Sequence, residues 1–124
     1  AWSLMSQGPQ SLRSVMLNHN DGLKKIWITE FGAPTGGPGI SSTISNPNLD
    51  QKPTHVDEAL EAKILTQAAQ LYRSYNWVGP FFWYSYQDAG TTSDTNENFF
   101  GLVRADNSHK PAYDAFVAAV KTKM

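Results

Sequence analysis

The sequence predicts an α/β fold built from βα units around a parallel sheet that is incomplete within this chain, and three observations lead there. Two apolar runs, Ile26-Trp27-Ile28-Thr29 and Phe81-Phe82-Trp83-Tyr84-Ser85-Tyr86, are β-branched and aromatic almost throughout, as strands buried on both faces are. Amphipathic helical stretches precede, separate and follow them, the alternation that produces parallel strands covered by helices. The chain has 124 residues, whereas a barrel of eight βα units takes about 250 and an open doubly wound sheet commonly has five or more strands.

The elements follow in order. Gly8-Pro9 opens the first helix, because proline is tolerated in a first turn where its missing N–H is not needed. Leu12, Val15, Met16 and His19 then recur at helical spacing, and Asn20-Asp21-Gly22 supplies residues that tolerate the left-handed conformation of a helix end. The strand from Ile26 terminates in Glu30-Phe31-Gly32. Residues 31–53 hold four glycines and four prolines, too long a connection for an ordinary turn, which predicts a functional or mobile loop. Thr54, with Asp57 three residues on, resembles an N-cap. The helix beyond it carries Val56, Leu60, Ile64, Ala68, Tyr72 and Tyr75 along one stripe, about six turns.

Asn76 and Gly79-Pro80 break that helix ahead of the second strand. Gln87-Asp88 and a polar loop leave the strand, Phe99 to Val103 reads as a turn or brief strand, and Asp106-Asn107-Ser108 is a turn signal. Pro111 starts a final helix with Tyr113, Phe116, Val117 and Val120 on one face.

Composition narrows the function classes. Ten basic and eleven acidic residues give a net charge of -1 with no basic run, so nothing marks a binder of nucleic acid. No apolar stretch reaches the roughly 20 residues of a membrane span, and no charged-then-apolar leader is recognisable. The absence of cysteine removes thiol chemistry and Cys-based zinc sites without settling the compartment. His19, His55 and His109 lack ligand spacing, no Gly-x-Ser-x-Gly elbow is present, and the loop glycines do not lead directly into a helix. No metal or cofactor is therefore expected. Ala1-Trp2-Ser3-Leu4 opens without an initiator Met, which, with the short sheet, predicts a fragment.

Parallel α/β proteins place their chemistry at the carboxyl ends of the strands. Glu30 stands there, and strict alternation puts it on the face of Ile26 and Ile28. A carboxylate ending an apolar row is desolvated, hence paired, protonated or functional, unless it simply reaches water. The second strand ends among Phe82, Trp83, Tyr84 and Tyr86, followed by Asp88. Aromatic faces stack on sugar rings, and a carboxylate beside them suits a carbohydrate site; core packing is the competing explanation.

Ile26-Trp27-Ile28-Thr29-Glu30-Phe31-Gly32 resembles the seventh strand of clan A glycoside hydrolases, whose (β/α)8 barrels carry the nucleophilic Glu in such a context. Gly79-Pro80-Phe81-Phe82-Trp83-Tyr84-Ser85-Tyr86-Gln87-Asp88 is similar to the eighth strand. Asn98-Phe99-Phe100-Gly101-Leu102-Val103 with Lys110-Pro111-Ala112-Tyr113 resembles the approach to helix eight. The likeness is to β-xylosidase-like family 39 and cellulase-like family 5. It implies units six (in part) to eight of a TIM barrel in a retaining β-glycosidase that acts on a β-linked oligosaccharide of the xylan or β-glucan type. For a full-length protein it implies a secreted or cell-envelope location.

By that resemblance Glu30 matches the nucleophile and Trp83 the aromatic platform under the sugar. The phase of the strand is open, so Tyr84 can exchange roles with Trp83, while Tyr86 and Asp88 lie at the same rim without a definite role. A retaining enzyme needs a second carboxyl about 5–5.5 Å from the first, which the clan supplies as a Glu after Asn on strand four. No such strand is present. Asp57, Glu58 and Glu61 read as structural, in the first turns of a helix where negative charge complements the macrodipole; Asp88 and Glu97 are the remaining candidates for an acid. The chain alone is thus expected to be inactive. A non-catalytic sugar-binding or interaction domain is the alternative, and a third reading is a fold fragment without a task of its own, whose exposed sheet edges would favour self-association.

Overall fold

The computed structural model describes residues 5–123, so the opening residues Ala1 to Leu4 lie outside it. Helix α1 spans Leu12–Asn18. It starts later than Gly8-Pro9 suggest because Ser11 is the N-cap, its hydroxyl accepting from the Ser14 amide at 3.2 Å. At its end Asn20 adopts φ 61°, and the amides of Asn20 and Asp21 bond back to Leu17 and Met16, the paired closure of a Schellman motif. No residue of this helix is buried; its apolar stripe, with Leu12 and Val15 exposed, is left uncovered by the other described residues.

Strand β1, Ile26–Phe31, pairs in parallel with a later strand, Val78–Trp83. Between them the chain forms two further strands of two residues each, β2 (Ser41–Ser42) and β3 (His55–Val56), which pair in parallel. Numbered in order, Val78–Trp83 is β4. The long segment after β1 is tied down by polar bonds. The Asn48 amide donates to Ser41 O at 2.8 Å, the Thr54 hydroxyl to Pro38 O at 2.6 Å and the Asn96 amide to Gly36 O at 2.8 Å. Thr54 therefore serves the loop, not the helix. The cap of α2 (Glu58–Ser74) is Asp57, whose carboxylate accepts from the Leu60 amide at 2.8 Å.

The buried residues of α2 are Glu61, Leu65, Ala68 and Ala69. That stripe is offset from the one through Leu60 and Ile64, which are half-buried against the long loop. Against α2 packs α3, Pro111–Lys123. The contact is made by small residues: Ala112, Ala115 and Ala119 join Leu65, Leu102 and Ala62 in one cluster. Phe116 and Val120, expected on the buried face, are exposed instead, lining with Leu65, Tyr72, Phe81 and Trp83 an apolar cleft of about 500 Å³. A 3-10 turn, Asn96–Phe99, precedes the extended segment in which Val103 bridges both Gln87 and His109.

Among the described residues, the sheet β1–β4 has helices on one side only. Ile28 and Val78 are buried in a core with Met5, and Ile26, Phe31, Phe81, Tyr72 and Tyr75 pack around them. On the opposite side Trp27 and Phe82 are 63% and 53% exposed. These parallel β/α units are not closed into a barrel.

Candidate functional site

The register of the two strands decides which side chains face the open side. Cα partners are Ile26 with Val78, Ile28 with Phe81 and Phe31 with Trp83. The first interval sets Trp27 alone opposite Gly79 and Pro80; the second sets Thr29 and Glu30 together opposite Phe82. Each is a bulge, two residues against one, and a bulge changes the phase of every side chain beyond it. Gly79 gives way to Trp27, whose ring would lie 2.6 Å from a Cβ there. Pro80, which cannot donate to a ladder, falls in the same irregularity, where proline is tolerated.

The second bulge returns Phe31 to the helix-covered core and leaves Glu30 on the open face with Phe82. Strict alternation from Ile26 and Ile28 had put Glu30 on their face; the extra residue overrules it. Glu30 is exposed, not desolvated, and no group among the described residues bonds to its carboxylate. It is an oxygen pair at the carboxyl end of a strand, free to meet something outside the chain.

The same register settles the phase of β4. Trp83, paired with Phe31 across the strands and 5.9 Å from its ring, packs with Leu65, Leu102 and Ala112 under the helices. Its indole Nε1 is buried and has no hydrogen-bond partner among the described residues. Its ring therefore lies in the helix-covered layer, not on the open face with Phe82. Tyr84, the next residue, is 38% exposed. Its amide bonds to Phe31 O at 2.9 Å, its ring stands 5.3 Å from Phe100, and its hydroxyl donates to Glu97 Oε2 at 3.4 Å. Gly32 permits this approach of backbone to backbone: a Cβ there would be 1.9 Å from Tyr84 O.

Tyr86 is 67% exposed at the rim. Asp88 is drawn inside. Its Oδ1 accepts from Lys110 Nζ at 2.7 Å and from the Gly101 amide at 2.8 Å, and its side chain is 6% exposed. A carboxylate so engaged fastens the loop after β4 and offers little to a ligand, a role that Lys110, only 1% exposed, makes readable.

Glu61 stands in the first turn of α2, as expected, but on the inward side of the helix. It is fully buried, and neither carboxyl oxygen has a hydrogen-bond partner among the described residues. Burial pushes its carboxyl up to about 8 against the pull of Lys110, with Asp88 and Glu58 adding to the rise. The signal was its spacing, four before Leu65 and seven before Ala68. Glu58, one turn earlier, is bound at the surface by Arg104, whose guanidinium is held above its ordinary value by that hydrogen bond. Among the described residues no cluster of His, Cys, Asp and Glu could hold a metal ion, and no helix is long and apolar enough to cross a membrane.

A parallel β/α sheet with helices on one face and an exposed carboxylate at its carboxyl end has the organisation of a partial (β/α)8 barrel. Two solved structures carry that statement. A family 39 glycoside hydrolase from the gut symbiont Bacteroides cellulosilyticus WH2 superposes with a TM-score of 0.60 at 27% identity, over 91% of this chain and 21% of that one. GH5_18 from Streptomyces cattleya, solved in complex with GlcNAc, superposes with a TM-score of 0.58 at 20% identity, over 98% of this chain and 29% of its own, and shows the fold alone. The chain thus spans less than a third of either neighbour. No protein-family model matches it, nor does any curated protein.

Proposed function

We propose that the chain supplies the nucleophile-bearing part of a retaining β-glycosidase, with Glu30 as the attacking carboxylate. The observation that supports this most is the bulge that turns Glu30 onto the open face beside Phe82, at the strand end where barrel enzymes hold their chemistry. In such a reaction Glu30 would attack the anomeric carbon, the leaving oxygen would take a proton from a second carboxyl, and water would then release the sugar. Tyr84, not Trp83, is the aromatic we assign to the sugar's face, since it lies beyond the strand end with part of its ring exposed.

The chain offers no good acid. Asp88 is committed to Lys110, and Glu97, although exposed, accepts from Tyr84. Alone, the chain is therefore expected to hydrolyse no aryl β-glycoside. Turnover that disappears in Glu30→Gln would show that Glu97 or a second chain completes the site, and would overturn the inactive assignment. A titration with xylo- or cello-oligosaccharide tests the site itself: binding lost in Tyr84→Ala and kept in Trp83→Phe supports the reading, and the reverse sinks the Tyr84 assignment.

We also propose that the chain self-associates. Among the described residues β4 and β1 pair only with each other in their sheet, and Trp27 and Phe82 lie uncovered on its face, a combination that templates further pairing. Light scattering that finds only monomer at high concentration would refute this.

A further inference from the structure

Beneath the rim, one buried ammonium is paired with the Asp88 carboxylate and attracts a second buried carboxyl, that of Glu61. The three donors of Lys110 Nζ are all in use: Thr35 Oγ1 at 2.8 Å, Asp88 Oδ1 at 2.7 Å and Phe99 O at 3.2 Å. Those acceptors belong to three separate segments, the loop after β1, the loop after β4 and the 3-10 turn that carries Glu97. Lys110 is thus a staple across the whole rim. Glu61 rises from α2 into the field of the same ammonium with both oxygens unbonded among the described residues. The charged groups around it are Glu58 on its own helix, held by Arg104, Asp88 on the loop after β4, and Lys110 just ahead of α3.

A buried carboxylate without donors is too costly to persist beside an ion pair that is already complete, so the neutral cluster holds a protonated Glu61. Loss of that proton to solvent leaves two buried anions and one cation. We propose that Lys110 is shared between alternative partners, and that ionisation of Glu61 draws it from Asp88 and loosens the three segments it staples. The burial-raised carboxyl, near 8, puts the exchange in mildly alkaline solution. This inference concerns the scaffold and stands whether or not Glu30 attacks a sugar.

Amide hydrogen exchange on the natural chain reads it at Gly101, whose N–H is bonded to Asp88. Between pH 7 and pH 9 exchange there should accelerate by about tenfold more than the intrinsic base-catalysed rise, while amides of α1, a helix without a buried residue, follow the intrinsic rise alone. Glu61→Gln should remove the excess, and an unchanged excess in that variant overturns the proposal. Should Glu61→Gln fail to fold, a carbon-13 titration of the natural chain still decides: a Glu61 carboxyl that ionises below pH 6 refutes the exchange, and one that ionises near pH 8 together with the Gly101 excess supports it.

Discussion

The two sides of the β1–β4 sheet are finished to different degrees. On the helix-covered side, Ile28, Val78, Leu65 and Ala112 are buried, and below the rim Lys110 uses every donor it has. On the open side, Trp27 and Phe82 are largely exposed and Glu30 has no partner among the described residues. The difference teaches that scaffold and chemistry are separable in this chain. The bonds that fasten the loops after β1 and β4 lie within the chain, whereas no group among the described residues assists Glu30. Substitutions should therefore divide sharply by side, in stability on one and in ligand chemistry on the other.

The largest effect should come from Lys110→Met. It removes the cation and leaves Asp88 buried and unpaired, which costs about 3–5 kcal/mol for pairs of this kind. Urea unfolding measures it; a loss below about 1 kcal/mol would mean that Asp88 reaches water and that the closed side is less closed than it looks. Leu65→Ala, at 3% exposure in the second core cluster, should cost about 2–5 kcal/mol, toward the lower end because the neighbouring cleft lets the site relax. Equal stability after that change would place the cluster outside the folding core.

Next in size is a pH effect with a definite sign. The Glu61 carboxyl, ordinarily at 4.5, stands near 8 in the fold, so between those values the unfolded chain gives up a proton that the folded chain keeps. Its contribution is complete below pH 4.5 and fades as pH rises to about 8, by at most about 1.4 kcal/mol per pH unit. Glu61→Gln should flatten the slope over that window. A slope that survives would move the titration to another residue.

The sequence made some of this legible. The β1 strand, its termination at Glu30 and the helices that flank the sheet follow from apolar runs and spacing, because those patterns are local. The faces did not follow. Whether Glu30 points with Ile28 or against it depends on an extra residue between Ile28 and Phe31, a matter of register with a partner strand some fifty residues away. The choice between Trp83 and Tyr84 hung on the same register. The burial of Glu61 was hidden for another reason: Leu60 and Ile64 advertise an apolar stripe that covers the long loop, while the buried stripe begins at Glu61 and runs on through Leu65 to alanines, which carry little hydrophobic signal. Asp57 shows the smaller version of that ambiguity, since both it and Thr54 could cap α2. Asp57→Ala should cost about 1 kcal/mol, and Thr54→Val, whose hydroxyl serves the loop, should leave the helix content unchanged.

The smallest expected effect bears most directly on function. Glu30→Gln removes a charge that is exposed and bonded to nothing among the described residues, so its unfolding free energy should lie within about 0.5 kcal/mol of the natural chain, as for surface changes away from any special feature. A carboxylate kept at a strand end without a stabilising role is one whose cost or benefit lies in a ligand or a further layer of protein. A loss above about 1 kcal/mol in the same urea titration would reveal a partner within the fold, and Glu30 would then belong with Asp88 among the groups that fasten the rim.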